Sequence, residues 1–327
     1  MRSYPALYTT AMTVQPRLVA LSLSLLMAVL PLRAEEPKRS PGGPGYELSM
    51  ATGLGLLYGA ALELVYKDSL SDSLLSELYW PMQPLAYWST ALFLERISHG
   101  PRFFARLGLD SGFYSYTGTM TDKDWTTSSS DYTHFSAHDC YTERSLFIDL
   151  TLGMKNSLNA NLNFSYMASL SAMSFLWTAR DGYLVYPGLE TEVWGTGISY
   201  EQFWFTISFG LGLDWSISER LKLNGTILFT PLVYAVDQDN HYFRLEQFNE
   251  RLYGAFGVDP SLSLQLSLTD RLGVLLDLSY KGLWGARGDT VHSEMGSGAL
   301  TIIGVYENGA GAAYNAVDIS LSLVSKL

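Results

Sequence analysis

Cysteine is almost missing: Cys140 stands alone in 327 residues, so no internal disulfide framework can hold the fold. Charge is sparse, at 16% of the chain. Beyond residue 34 no apolar run reaches the roughly 20 residues of a membrane-spanning helix. No segment carries the apolar stripe of period 3.6 that marks an amphipathic helix. Basic residues are also short, with 21 Lys and Arg against 32 Asp and Glu and a formal charge of −11. That balance argues against a nucleic-acid partner, which would need a basic face, and favours a cationic ligand.

What is present begins with a leader. Arg2 and Arg17 flank the apolar stretch Leu18 to Leu32, and Arg33-Ala34 precedes Glu35-Glu36. Residues 1–34 read as an export signal cleaved after Ala34, with Met12 as an alternative start. Residues 35–45, rich in Pro and Gly, read as a flexible lead-in, and 46–327 as one large domain. An exported chain without spanning helices is either soluble or a closed β-barrel, because a bilayer leaves no backbone group unsatisfied. Abundant Gly and Tyr, 29 and 21 residues, favour the barrel.

Period-2 alternation supports it. Leu146 to Gly153, Leu158 to Leu170, Phe203 to Trp215, Leu221 to Val233, Leu262 to Leu268, Leu272 to Leu278 and Val317 to Leu323 alternate apolar with small or polar residues. Short turns at Ser157 to Ala160, Ser218 to Arg220 and Thr269 to Arg271 alternate with long polar loops at 116–142, 181–195, 237–249 and 285–297. Short turns on one side and long loops on the other are the outer-membrane pattern. The expected fold is all-β, a ten-stranded antiparallel transmembrane barrel whose long strands project beyond the bilayer. Pro81 and Pro84 are expected at a bulge or strand end. Trp80, Trp88, Trp177, Trp204 and Trp215 are candidates for interface girdles, although packing is the commoner role of any single Trp.

Two acidic clusters then stand out: Asp122-Lys123-Asp124-Trp125 and Asp237-Gln238-Asp239-Asn240-His241. A strand sends residues i and i+2 to one face, so Asp122 pairs with Asp124 and Asp239 with His241. On the ten-strand count they end strands 3 and 7, on nearly opposite walls of one mouth. Like charges on one face disfavour double ionisation, so one carboxyl of the first pair holds a proton near neutral pH. In the second pair a carboxylate can orient an imidazole and raise its basicity. A water between the walls would lose a proton to His241 while the protonated carboxyl supports an oxyanion. The plainer alternative is two solvated acidic loops.

At these residues the chain resembles the omptin family of outer-membrane proteases. The two clusters match the family's Asp-x-Asp-Trp and Asp-x-Asp-x-His segments. Three further matches are Gly59 with Glu63, Val65 and Tyr66; Ser136 with His138 and Asp139; and Thr178-Ala179-Arg180 followed by Gly182 and Tyr186. The resemblance implies that Asp122, Asp124, Asp239 and His241 are catalytic and that Glu63 and Asp237 receive an Arg or Lys before the scissile bond. It gives Ser136 and His138 a supporting role. It further implies an outer-membrane location with the site facing outward, polypeptide substrates containing basic residues, outer-membrane lipids as neighbours, and no cofactor. No segment matches the basic residues with which family members hold lipopolysaccharide, so dependence on that lipid is left open. A closed barrel buries its own edges, and a monomer is expected.

Three competing readings have sequence features of their own. Ser136 and His138 are spaced for a nucleophile and base, yet no Gly-x-Ser-x-Gly elbow accompanies them. His134, His138 and His241 would serve a metal-dependent hydrolase, but the loop around the first two has no helical stripe to bring them together. A non-catalytic barrel, an adhesin or small pore, would have no need of the four acid and imidazole residues.

Overall fold

The computed structural model describes residues 45–97, 100–127, 131–296 and 300–327. The export signal read at 1–34 lies outside the described residues, as does the lead-in apart from Gly45. The strands are β1 (Gly45–Tyr66), β2 (Leu74–Ile97), β3 (Arg102–Gly112), β4 (Ser115–Asp124), β5 (His134–Ser157), β6 (Leu162–Tyr186), β7 (Leu189–Ser216), β8 (Leu221–His241), β9 (Glu246–Tyr253), β10 (Phe256–Ser267), β11 (Leu272–Met295) and β12 (Leu300–Lys326). Every pairing is antiparallel, and β1 bonds to both β2 and β12, so the sheet closes on itself.

Twelve elements make ten traverses. β3 and β4 lie end to end between β2 and β5, and β9 and β10 lie end to end between β8 and β11. The breaks fall at Phe113-Tyr114 and at Gly254-Ala255, where Gly254 has φ +75°, a conformation glycine adopts without penalty. On one side β2 pairs with β4 through Tyr79 and with β3 from Tyr87, so Pro81 and Pro84 sit in the gap between them. Pro84 also lies at the bulge between the Leu57 and Gly59 pairings with β1. A residue without an N–H is tolerated where no ladder needs one.

The barrel is inside-out relative to a water-soluble sheet. Along β12 the outward side chains Val317, Ile319, Leu321 and Leu323 are exposed, while Ser320 and Ser322 between them are buried. The same holds for Leu262, Leu264 and Leu266 on β10 and for Phe209, Leu211 and Leu213 on β7. An apolar exterior over a polar lumen is stable only with lipid outside. Charges that enter the lumen meet partners there, as Lys155 does with Glu95 at 3.1 Å and Asp214 at 3.3 Å.

The expected tight turns are found at 158–161, 217–220 and 268–271. They share one end with the C-terminus, since Lys326 N–H donates to Arg271 O at 2.9 Å and Ser267 N–H to Arg220 O at 2.8 Å. At the other end the structure corrects the sequence reading. Most of the segments expected as loops are strand: β4 and β5 take up much of 116–142, β6 and β7 nearly all of 181–195, β8 and β9 most of 237–249, and β11 most of 285–297. Above the bilayer both faces of a wall meet water, so apolar alternation fades while the hydrogen-bonded ladder continues. The two acidic clusters therefore lie within strands, and Trp125 alone of the first falls just past β4.

Three of the candidate girdle tryptophans are inside. Trp80, Trp177 and Trp204 are wholly buried, whereas Trp215 is 49% exposed near the turn end. Trp80, Trp177 and Tyr200 stack with ring centroids 5.1 to 6.1 Å apart, and Phe175 stacks on Trp177 at 4.6 Å and contacts Tyr314 at 5.7 Å. These rings fill the lumen beneath the mouth. An aromatic stack of this kind adds roughly 1 kcal/mol per pair to the burial itself, and it gives the site above it a rigid floor.

Candidate active site

Two walls carry the clusters. Asp122 and Asp124 end β4, opposite Ser136 and His134 of β5 and opposite Leu78 and Ser76 of β2. Asp237, Asp239 and His241 end β8, opposite Gln202, Tyr200 and Ile198 of β7 and opposite Glu250, Phe248 and Glu246 of β9. Each residue of the second cluster with an odd number is buried: Asp237 at 6%, Asp239 at 1% and His241 at 8% exposure. The i, i+2 reading of both pairs agrees with the strand geometry.

On the β8 wall His241 Nε2 bonds to Asp239 Oδ2, and Arg244 Nη2 donates to Nδ1 at 2.6 Å. Because Nδ1 accepts, the ring proton sits on Nε2 and points at the carboxylate. Arg244 is held from the other side by Glu246, with Nε to Oε2 at 3.1 Å. On the β4 wall Ser76 Oγ donates to Asp122 Oδ1 at 3.0 Å. Burial, then the neighbouring Asp124 charge, pushes Asp122 up to about 7, against the opposing fields of His241, the Ser76 bond and Arg244. The charges of His241 and Arg244 thus reach Asp122 from the β8 side of the mouth.

Ser136 and His138 are both buried, at 3% and 4% exposure. His138 Nδ1–H donates to the carbonyl of Asp181 at 2.6 Å, and burial lowers its pKa, so the ring is neutral. The acceptor comes from the β5–β6 bulge, where Asp181 has φ 51° and Gly182 φ 120°. His134 bonds Thr133 Oγ1 through Nδ1 at 2.9 Å and meets the Tyr186 ring edge-on at 4.6 Å. Four residues of strand put His134 and His138 about 13 Å apart. Among the described residues no three His, Cys, Asp or Glu side chains gather as metal ligands do.

Beneath the walls lies an acidic floor. Glu63 on β1 and Asp237 on β8 are buried, and with them Glu250 on β9, directly opposite Asp237. Burial first, then the charges of Asp239, Glu250 and Asp237, hold the Glu63 carboxyl well above the usual carboxylate range. Burial pushes Asp237 up to about 7, while a hydrogen bond from Tyr200 opposes the rise. Tyr200 OH donates to Asp237 Oδ2 at 3.0 Å, Gln202 Nε2 to Tyr200 OH at 2.8 Å, and Trp204 Nε1 to Gln202 Oε1 at 2.7 Å. This chain ties the floor to the aromatic plug.

Sequence reasoning missed Ser76, Arg244 and Glu250. Ser76 and Arg244 carry no local signal, since one is an isolated hydroxyl and the other lies in a turn. Glu250 had a usable one: β9 alternates, and Glu250 and Leu252 share the inward face. The segment's polar composition concealed that period.

A closed antiparallel sheet with an apolar exterior, a plugged lumen and an acid-imidazole cleft at its mouth defines a membrane β-barrel with a built site. The Omptin family model matches residues 45–326, and the chain belongs to that family. It is similar to a plasminogen activator of Yersinia pestis, 26% identical over 265 residues that cover 78% of this chain and 82% of that protein. A second relative, protease 7 of Escherichia coli O157:H7, is 26% identical over 210 residues, covering 58% of this chain and 62% of that protein. In fold it resembles the crystal structure of the outer membrane protease OmpT from Escherichia coli, with a TM-score of 0.75 at 19% identity over 88% of this chain and 100% of that one. Family and fold together indicate the bacterial outer membrane.

Proposed function

We propose that this barrel is an endopeptidase that cuts exposed polypeptides after Arg or Lys, with its mouth toward the cell exterior and no metal or covalent acyl-enzyme. The observation that carries the reading is that Asp122-Asp124 and Asp239-His241 end β4 and β8 at the same end of the barrel, with His241 acting on Asp122 and with Glu63 and Asp237 buried. Relatives named as a protease and a plasminogen activator support the reaction class.

The chemistry follows from the hydrogen bonds. Asp239 fixes the ring of His241 through Nε2 and stabilises the imidazolium that forms. Nδ1 is then the nitrogen that takes a proton from water, once Arg244 gives way to it. The hydroxide attacks the scissile carbonyl, and protonated Asp122 donates a hydrogen bond to the oxygen that becomes negative. The proton on Nδ1 passes to the departing amine, the C–N bond breaks, and His241 returns to its neutral form. Glu63 and Asp237 hold the cation before the scissile bond, while Ser136, opposite Asp122 on the ladder, and His138, bonded to Asp181, keep the β5 wall in register. A pore is a weaker reading, because the buried rings of Trp80, Trp177, Phe175 and Tyr314 obstruct the lumen. The closed sheet leaves no edge to pair, which supports a monomer.

The test is a quenched peptide containing Arg-Arg or Lys-Arg, offered to refolded protein with and without lipopolysaccharide. No cleavage in either case sinks the reading. His241→Ala should lower kcat by at least about a thousandfold, the scale of a lost general base, and Ser136→Ala by far less. A chelator should leave the rate unchanged.

A further inference from the structure

Glu250 takes no part in the chemistry above. It lies opposite Asp237 on one side and Thr290 of β11 on the other, and is 3% exposed. Thr290 Oγ1 donates to its Oε1, and its carboxyl, held in the protonated form by burial, shares a hydrogen bond with Asp237 across the ladder. Glu63 Oε2 beside them is buried without a partner. A buried acceptor left without a donor opposes folding until a ligand supplies one. Three strands thus deliver three buried carboxyl groups to one floor, Glu250 directly opposite Asp237 on the ladder and both close enough for their charges to act on Glu63. The stacked rings of Trp80, Trp177 and Tyr200 border it, and Tyr200 is bonded to Asp237.

We propose that Glu250 is a third specificity-determining carboxylate of this pocket, and that the three acids together select a guanidinium over an ammonium. The inference rests on the reading that a basic side chain enters here. Two carboxylates suffice to neutralise either cation, so the third matters through donors and hydration. An ammonium has three N–H groups on one atom and holds its water firmly. A guanidinium spreads five N–H groups around a plane, is weakly hydrated, and can lie flat on aromatic faces. Acceptors on β1, β8 and β9 can each meet a different edge of such a plane.

The experiment compares kcat/KM for paired peptides with Arg or Lys before the scissile bond, using wild type, Glu250→Gln and Glu250→Ser. Folding of each variant is checked by its heat-dependent gel mobility. The expected result is a fall of at least tenfold in the Arg to Lys ratio in the folded variants. A ratio within twofold of wild type overturns the inference while leaving the protease reading intact. A second arm titrates p-aminobenzamidine, a fluorescent amidinium, against His241→Ala with and without Glu250→Gln. Binding weakened tenfold by the second substitution supports the pocket even where no peptide is cut, in which case the protease reading alone fails. Equal binding overturns the role of Glu250.

Discussion

Replacing Ser76 by Ala should increase activity at alkaline pH, although it removes a hydrogen bond from the site. Two groups with pKa values near 7 shape the pH profile of kcat/KM around neutrality. Asp237, pushed up to about 7 by burial, must be ionised to hold a cation, so the rate rises through about pH 7. Asp122, also at about 7, must be protonated to donate to the oxyanion, so the rate falls through about pH 7. The product of the two fractions is a bell centred near 7 that drops about threefold one unit to either side. Ser76 Oγ favours the ionised form of Asp122. A hydrogen bond to a charged group is worth roughly 1.5 kcal/mol, and one pKa unit is about 1.4 kcal/mol. Its loss therefore moves the falling limb up by about one unit, to roughly 8, and raises the rate at pH 8 about fivefold. The backbone pairing of Ser76 with Asp124 is untouched by the change. The assay is kcat/KM against pH for an Arg peptide, wild type beside Ser76→Ala. A falling limb that stays in place or moves to lower pH would refute protonated Asp122 as the donor.

Other perturbations probe other links of the structure. Arg244→Gln removes the cation from His241 Nδ1 and should raise kcat at neutral pH severalfold in steady-state assays; a fall would place Arg244 within the machinery instead. Gly182→Ala puts a Cβ 2.0 Å from the Ala137 carbonyl at a residue with φ +120°, a strain of roughly 2 kcal/mol or more. Both its thermal midpoint and its kcat should fall, since the adjoining Asp181 carbonyl holds His138. The empty barrel should lose stability as pH rises from about 4 to about 7. Glu63, Asp122, Asp237 and Glu250 all have folded pKa values above their unfolded ones, so the folded state holds more protons across that window. Thermal midpoints in detergent across that range check the sign, and a rise would contradict it.

The lower half of the barrel was legible because lipid imposes a pattern. Val317 to Leu323 and Leu262 to Leu268 alternate since one face meets acyl chains and the other a polar lumen, and the expected turns followed from where that pattern stopped. The upper half was not legible by the same rule. Residues 237–241 are strand with polar side chains on both faces, and along 134–142 the face of Phe135, Ala137 and Tyr141 is broken by Asp139, so neither ladder left a clean apolar alternation. The i, i+2 spacing of Asp122-Asp124 and Asp239-His241 survived because it needs only local strand geometry. Contacts from distant segments did not: Ser76 reaches Asp122 across 46 positions of sequence, and nothing near either residue announces the other. The aromatic plug was read as a possible girdle for a related reason, since alternation assigns a side chain to one face of the wall without saying which face is inside.

Placing so many acids in one mouth has a structural cost, and the fold shows where it is met. Each buried carboxyl with a raised pKa opposes folding at neutral pH, and the unpartnered Oε2 of Glu63 adds to that. The opposing terms come from below and around: a ladder closed through β1 and β12, and large rings packed without solvent contact under the site. A cation in the pocket would remove part of the penalty by supplying donors and charge together. Binding and stability are then linked, because a ligand that binds only the folded form raises its stability. An arginine analogue should therefore raise the thermal midpoint of His241→Ala, where no turnover intervenes. The rise should grow as pH increases through about 7, where Asp237 gives up its proton. A shift that is the same at pH 5 and pH 8 would show that the bound cation does not face the buried acids.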